Sequence, residues 1–247
     1  MILFDLSFGL CYNIDMNIYS ISDFHLSTNC PKPMNIFGRV WDNYLDEIKL
    51  ECDKLNDDDI LLIAGDISWA MTLEQALPDL EFIGSLKGQK ILIRGNHDYW
   101  WKSISSVRNA LPNGVYALQN DSIKIGNVVF AGSRGWTTPE RGCALPADEQ
   151  KIYNREVLRF RMGLVEASKK RNEGDSLVVM CHYPPFNSTF DRTPFTDLFD
   201  EFKVSAVVYG HLHGPNVKIC KKVEVGGIAY YLTSCDLIRN RPVVIEV

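Results

Sequence analysis

Short apolar runs that stop at a glycine or a polar residue, and there present an acid, an amide or an imidazole, limit most strongly how this chain can fold. Residues 60–64 (ILLIA) end at Gly65-Asp66, 90–94 (KILIR) at Gly95-Asn96-His97-Asp98, 177–181 at His182, and 204–209 at Gly210-His211-Leu212-His213. Residues 17–22 (NIYSIS) run into Asp23-Phe24-His25. A short run that is apolar throughout reads as a strand covered on both faces, the usual condition of parallel strands beneath crossover helices. All 5 histidines fall at or just past such a strand end. In an open α/β sheet the strand C-termini share one edge, where loops converge on a site. The chemistry of this chain is therefore expected on one sheet edge.

Amphipathic stretches separate these strands. Helices are predicted over 38–55, with Val40, Tyr44, Leu45, Ile48 and Cys52 on one face, over about 73–86, over about 99–111, and over about 148–171. Pro78 should kink or divide the second. Up to residue 111 the order is βαβαβ; beyond it, 115–118, 122–125 and 128–131 are separated by Asn120-Asp121 and Gly126-Asn127, turn pairs that suit antiparallel hairpins. Residues 132–146 read as a loop, Pro184-Pro185 forces an extended one, and 218–225, 228–233 and 242–247 alternate as an antiparallel sheet. The expectation is one mixed α/β domain over 16–247. Met1 to Asp15 lacks a basic start, carries Asp5 where a signal peptide would be apolar, and precedes a well-formed strand, so it is read as an added arm or an upstream start.

Composition narrows the functional classes. With 247 residues, 46% hydrophobic and 23% charged, the chain has enough apolar side chains for a sizeable core. A net charge of −5 without a basic block argues against long nucleic acid as a partner, and no apolar run approaches a bilayer span. The 7 cysteines are odd in number and form no C-x-x-C pair, which argues against a disulfide framework or zinc ribbon and suits a reducing cytoplasm. Oligomeric state is left open by the sequence.

The candidate ligands are Asp23, His25, Asp66, Asn96, His182, His211 and His213. Oxygen and imidazole donors without sulfur suit divalent Mn, Fe, Zn, Co or Ni. Seven donors exceed what one tetrahedral ion needs, and two ions sharing a carboxylate would use them; Asp66, on the most apolar strand, is the expected bridge. Residues two apart on extended backbone point to one side, so Asp23 with His25, and His211 with His213, are each expected to face one place. Gly65, Gly95 and Gly210 are expected to supply positive φ or close backbone approach.

In order, D-x-H at 23–25, G-D at 65–66, G-N-H-D at 95–98, a lone His182 and G-H-x-H at 210–213 resemble the calcineurin-like metallophosphoesterase superfamily. The resemblance implies a two-sheet α/β sandwich of mixed strands flanked by helices. It also implies one metal on Asp23, His25, Asp66 and His213, and a second on Asp66, Asn96, His182 and His211. Two such cations about 3.5–4 Å apart acidify a bridging water to the attacking hydroxide, giving hydrolysis of phosphomonoesters or phosphodiesters. His97, not needed as a ligand, is placed to protonate the leaving group, and Asp98 to orient its imidazole, although Asp98 also reads as an N-cap for the helix expected at Tyr99. Asn96 and Arg134 are expected at the substrate phosphate; a surface ion pair is the plainer reading of Arg134. Cys181 reads as a small buried hydrophobe.

Trp69, Trp100, Trp101 and Trp136 stand near these motifs, either packed beneath the loops or forming a rim that stacks on a planar group. Short aromatic loops favour a small phosphoester substrate, nucleotide-like rather than a sugar phosphate. A calcineurin-type protein phosphatase is disfavoured because G-D continues as Ile67-Ser68-Trp69, and a nuclease because no basic channel follows His213. An idle fold acting as a binding scaffold is the contrary reading, though no motif residue is lost.

Overall fold

The protein is described by a computed structural model over residues 16–214, 217 and 220–247; the arm expected at 1–15 lies outside the described residues, as do 218 and 219 of the expected strand 218–225. The runs up to residue 93 pair in parallel as expected, but 115–118 adds to them in parallel instead of forming a hairpin with 122–125, and 229–232 lies parallel to 206–209 while 243–244 joins the other sheet. β1 (Ile18–Ser20), β2 (Ile60–Ile63), β3 (Gln89–Ile93) and β4 (Val115–Leu118) lie parallel in that order. A last short strand, Val243–Val244, joins β1 antiparallel at the edge. A second sheet holds β5 (Asp121–Ile125), β6 (Val128–Ser133), β7 (Ser176–Cys181), β8 (Ala206–Tyr209), β9 (Lys222–Val225) and β10 (Ile228–Leu232), in the order β5-β6-β7-β8-β10-β9. Its central strands β6, β7, β8 and β10 are parallel, and β5 and β9 close it antiparallel.

Strand geometry explains why these runs are apolar throughout. Successive side chains point to opposite faces, so Ile60 and Leu62 of β2 enter the core between the sheets, with Phe130, Val178, Met180 and Val208 opposite. Leu61 and Ile63 point outward to α1 (Tyr44–Cys52), α2 (Leu73–Ser85) and α3 (Ile104–Ala110), where Ile48, Cys52, Leu80, Ile83 and Val107 cover them. On the other side α4 (Ala147–Lys170) and α5 (Pro194–Glu201) cover Val129, Leu177, Val179 and Val207 with Phe160, Leu164, Phe195 and Phe199. Two mixed sheets are thus stacked and flanked by helices. Each fully buried Leu or Ile contributes about 1.5–3 kcal/mol by leaving water, so a polar residue within these strands would be costly. No described helix is long and apolar enough to cross a membrane.

Several boundaries differ from the sequence expectation. The first helix begins only at Tyr44, because Asn43 takes a left-handed φ of 54°; before it, Met34–Phe37 and Arg39–Trp41 form short 3-10 turns. Pro78 does not divide α2, which runs unbroken from a capping box of Thr72 and Gln75. The third helix starts at Ile104 rather than Tyr99, since the intervening chain turns inward to bury Trp100 and Trp101. α5 was not anticipated, although Thr193 as cap and Pro194 in the first turn are its start signal.

Candidate metal centre

β1, β2 and β3 of one sheet and β7 and β8 of the other deliver the motif residues to a common edge. The backbone there is unusual: Asp23 (φ 59°), His25 (48°), Asp66 (52°) and His211 (70°) are all left-handed. Such non-glycine conformations cost on the order of 1 kcal/mol or more each and persist only where packing over-determines them. The turns, not an extended strand, therefore aim Asp23 and His25, which corrects the two-residue alternation expected for them. Asp23 and His25 still face one place as expected, whereas His211 and His213 part company. His213 joins Asp23 and His25, and His211 meets Asn96 and His182.

Three glycines allow this crowding. Gly65 itself has φ +96°. A Cβ on Gly95 would lie 2.2 Å from the Asp66 backbone N and Oδ1, and one on Gly210 would lie 2.4 Å from Asp23 Oδ2.

Donor atoms converge in two overlapping groups. Atoms of Asp23, His25 and His213 all lie within 4.8 Å of one another, as do atoms of Asp23, Asp66 and His182. Asn96 Oδ1 sits 2.7 Å from His182 Nε2 and 2.8 Å from His211 Nδ1. Between the groups lies Asp66 Oδ2, 3.8 Å from His25 Nε2 and 3.5 Å from His182 Nε2. The other oxygen, Oδ1, accepts the His97 backbone N–H at 2.8 Å, while Asp23 accepts that of His211 at 3.0 Å.

The chemistry of this donor set fits divalent cations. His182 Nδ1 lies 2.9 Å from the Ala64 carbonyl, which can only accept, so the proton is on Nδ1 and Nε2 turns a bare lone pair toward Asn96 and Asp66. Both nitrogens of buried His25, and Asp66 Oδ2, have no hydrogen-bond partner among the described residues. Buried polar atoms left unpaired are expensive, and a cation beside them would satisfy one His25 nitrogen together with Asp66 Oδ2. Burial pushes His182 and His211 down to about 3 and holds His25 well below its ordinary value, which keeps the imidazoles in their neutral, ligating form. Burial, then repulsion from Asp66, raises Asp23 well above the carboxylate range, and burial raises Asp66. A positive charge beside them would offset both effects and favour the ionised carboxylates.

His97 lies at the rim of this group, its ring centroid 5.6 Å from that of His25 and 4.4 Å from that of Trp69. Its pKa is lowered by burial, against the raising effect of Asp66. Asp98 does not orient it. The Asp98 Oδ1 accepts from the Ile67 and Ser68 amides and from Trp100 Nε1 at 2.9, 3.1 and 3.0 Å, and Oδ2 accepts from the Gly95 amide at 2.7 Å. Both oxygens are thus engaged in fixing the two loops after β2 and β3, no hydrogen bond among the described residues joins Asp98 to the imidazole, and Asp98 caps no helix. Even so, burial and repulsion from Asp66 push it up to about 7.

Arg134 is half-buried with its guanidinium 4.8 Å from the centre of the Trp136 ring, and it makes no ion pair among the described residues. Burial lowers its pKa. Trp100 and Trp101 are core residues, 1% and 0% exposed, with Trp101 Nε1 bonded to Gln119; they form no rim. Trp69 and Trp136 remain partly exposed. Cys181 is buried beside the Val208 carbonyl.

Sequence reasoning missed four contributors. Trp41 places its ring 6.2 Å from His25 and 6.4 Å from His213. Lys32 holds Nζ 3.1 Å above the Trp69 ring. Asp79, buried on α2, ties the Thr28 amide to the Ser68 hydroxyl, and Asp236 accepts the Gly214 amide at 2.6 Å just beyond His213. Only Asp79, an acid on the apolar face of a helix, left a signal that periodicity could have found.

Two stacked mixed sheets with Asp, Asn and His donors gathered at their shared strand ends define a fold and site of the metallophosphoesterase type. The chain belongs to the calcineurin-like phosphoesterase family, whose model matches residues 16–215. Among solved structures, the chain is similar to phosphopantetheinyl hydrolase from Mycobacterium tuberculosis (TM-score 0.55, 15% identity, covering 93% of this chain and 96% of that one). It is also similar to the protein TT1561 of Thermus thermophilus (TM-score 0.53, 12% identity, 94% and 98% covered). At these identities the likeness is one of fold. A search of curated proteins finds no match in sequence. Family membership points to metal-dependent phosphoester hydrolysis and accords with the resemblance carried by the motifs.

Proposed function

We propose that the protein hydrolyses phosphoester bonds of small organic substrates with the aid of two divalent cations. The observation that carries this reading is Asp66 Oδ2, a buried carboxylate oxygen with no hydrogen-bond partner among the described residues, set between His25 and His182 at 3.8 and 3.5 Å. Asp23, His25, Asp66 and His213 would hold one ion, and Asp66, Asn96, His182 and His211 the other. When bound, such ions polarise the phosphoryl group and acidify water.

The remaining work falls to the protein's own groups. His97, at the rim and free of Asp98, donates the proton that the leaving alkoxide needs. Arg134 offers a planar fork of N–H donors suited to phosphoryl oxygens, and Asn96, beside His182 and His211, would add its amide to the same role. Trp136, partly exposed under Arg134, offers a face for a planar substituent. That keeps a stacking contact in the proposal but rests it on Trp136 rather than Trp101. A net charge of −5 speaks against long nucleic acid as substrate. The 6 described cysteines are all unpaired, which supports a reducing, cytoplasmic setting.

The test is turnover by Mn-loaded protein of p-nitrophenyl phosphate, bis-p-nitrophenyl phosphate, cyclic nucleotides and common phosphometabolites, with and without chelator. Chelator-sensitive hydrolysis of at least one class is expected. His97→Ala should keep its metal yet lose about 10²–10⁴ in rate on substrates with poor leaving groups, and lose less on p-nitrophenyl esters. Equal losses on both would assign His97 a binding role, and no turnover at all would refute the reading.

A further inference from the structure

We propose that Lys32, lying on the face of Trp69, forms with its adjoining cavity the leaving-group subsite, and that this subsite selects phosphoesters whose leaving group carries its own negative charge. The proposal rests on the hydrolase reading above and names the substrate class for the same site.

Trp69 is the hinge of the argument. One ring stacks on His25 with centroids 4.8 Å apart and planes at 19°, and it lies 4.4 Å from His97. Lys32 Nζ sits 3.1 Å from the same ring centre. A general acid must stand next to the leaving oxygen. A group attached to that oxygen beside His97 therefore extends across Trp69 toward Lys32. Beyond Lys32 opens a cavity of about 600 Å³, walled by Ser27, Asn35, Trp41 and Tyr44. The Trp41 wall is the same ring that approaches His25 and His213. Trp41 thus separates the cavity from the candidate metal centre by one ring, and the cavity, which Lys32 also lines, has room for a sizeable substituent.

Charge gives the cavity its direction. Lys32 makes no ion pair among the described residues, and the one acid on the wall, exposed Asp42, is not within ion-pair reach of it. Held over an indole face, the ammonium still has N–H donors to offer an anion. On the opposite flank, at His211, a smaller cavity of about 200 Å³ is lined by Tyr183, Phe186 and Leu212, with Glu140 as its charged residue and no cation. An anionic substituent is therefore attracted to the His97 side and repelled from the His211 side. A carboxylate or a second phosphate meets this requirement equally.

The experiment compares isosteres that differ only in charge. Binding of 4-carboxybenzylphosphonate and 4-carbamoylbenzylphosphonate to the Mn-loaded full chain is measured by calorimetry, at low and high salt. Hydrolysis of the matching carboxyphenyl and carbamoylphenyl phosphates is followed in parallel. Lys32 is solvent-accessible, so the native chain should bind the carboxylate about threefold to fivefold more tightly, with the preference shrinking as salt rises. Lys32→Met should bring the ratio to about one, and Lys32→Arg should retain it. Equal Kd values in the native chain, or a preference that survives Lys32→Met, would overturn the subsite. A Lys32-dependent preference in binding without turnover of either ester would overturn the hydrolase reading while leaving the anion subsite in place.

Discussion

At the scale of single residues, the division of labour among the acids decides the chemistry. Asp98 spends its carboxylate on four N–H donors, whereas Asp66 spends one oxygen on the His97 amide and leaves the other bare. Asp98→Ala should therefore act on the fold. It would strand buried amides of both loops and cost on the order of 3–5 kcal/mol, read as a shift in the denaturation midpoint. A variant of unchanged stability that had lost only activity would restore the orienting role. The raised carboxyls also set a pH dependence. Asp23, Asp66 and Asp98 bind their protons more tightly when folded, Asp98 up to about 7. In metal-free protein their contribution is thus fully present below the unfolded value of about 3.9 and is lost as pH rises through the folded values. A bound cation needs Asp23 and Asp66 ionised and reverses that trend. The gap in Tm between Mn-loaded and chelated protein should widen from about pH 5 to pH 8; a gap constant across that range would contradict the assignment.

At the scale of elements, the site depends on how tightly strand ends are turned. Gly210→Ala would drive a Cβ to 2.4 Å from Asp23 Oδ2, so it should displace that carboxylate and weaken metal retention more than it lowers Tm. Full retention on dialysis would show that the loop can yield. The same geometry explains what could be read from the sequence. Short apolar runs ending at a ligand residue leave almost no alternative to parallel strands with a site at their ends, and β2, β3, β7 and β8 follow that pattern, with a glycine before the ligand in all but β7. The segment 99–103 misled because no Gly or Pro separates it from the helical stretch that follows, yet Asp98 is committed to the loops and the chain turns inward after it. The left-handed turns at Asp23, His25 and His211 leave no trace in hydrophobic period. Lys32 and Trp41 belong to a stretch of 3-10 turns without periodicity, and only the folded chain brings them to Trp69 and the histidines.

At the scale of the whole molecule, the stacking of two sheets places four of the donors on one and three on the other. Asp23, His25, Asp66 and Asn96 follow β1, β2 and β3, while His182, His211 and His213 follow β7 and β8. The inter-sheet core of Ile60, Leu62, Ile91, Ile93, Val178, Met180 and Val208 holds the two sets in register. A centre built this way has two overlapping groups of donors that share Asp23, with Asp66 as the proposed bridge, and cation number is its most direct signature. Elemental analysis of chain purified without chelator, reloaded with Mn and freed of excess, measures it. Two equivalents per chain are expected, falling markedly in Asp66→Asn. A reproducible value of one or less, or an Asp66→Asn variant that keeps both ions, would contradict the dinuclear centre.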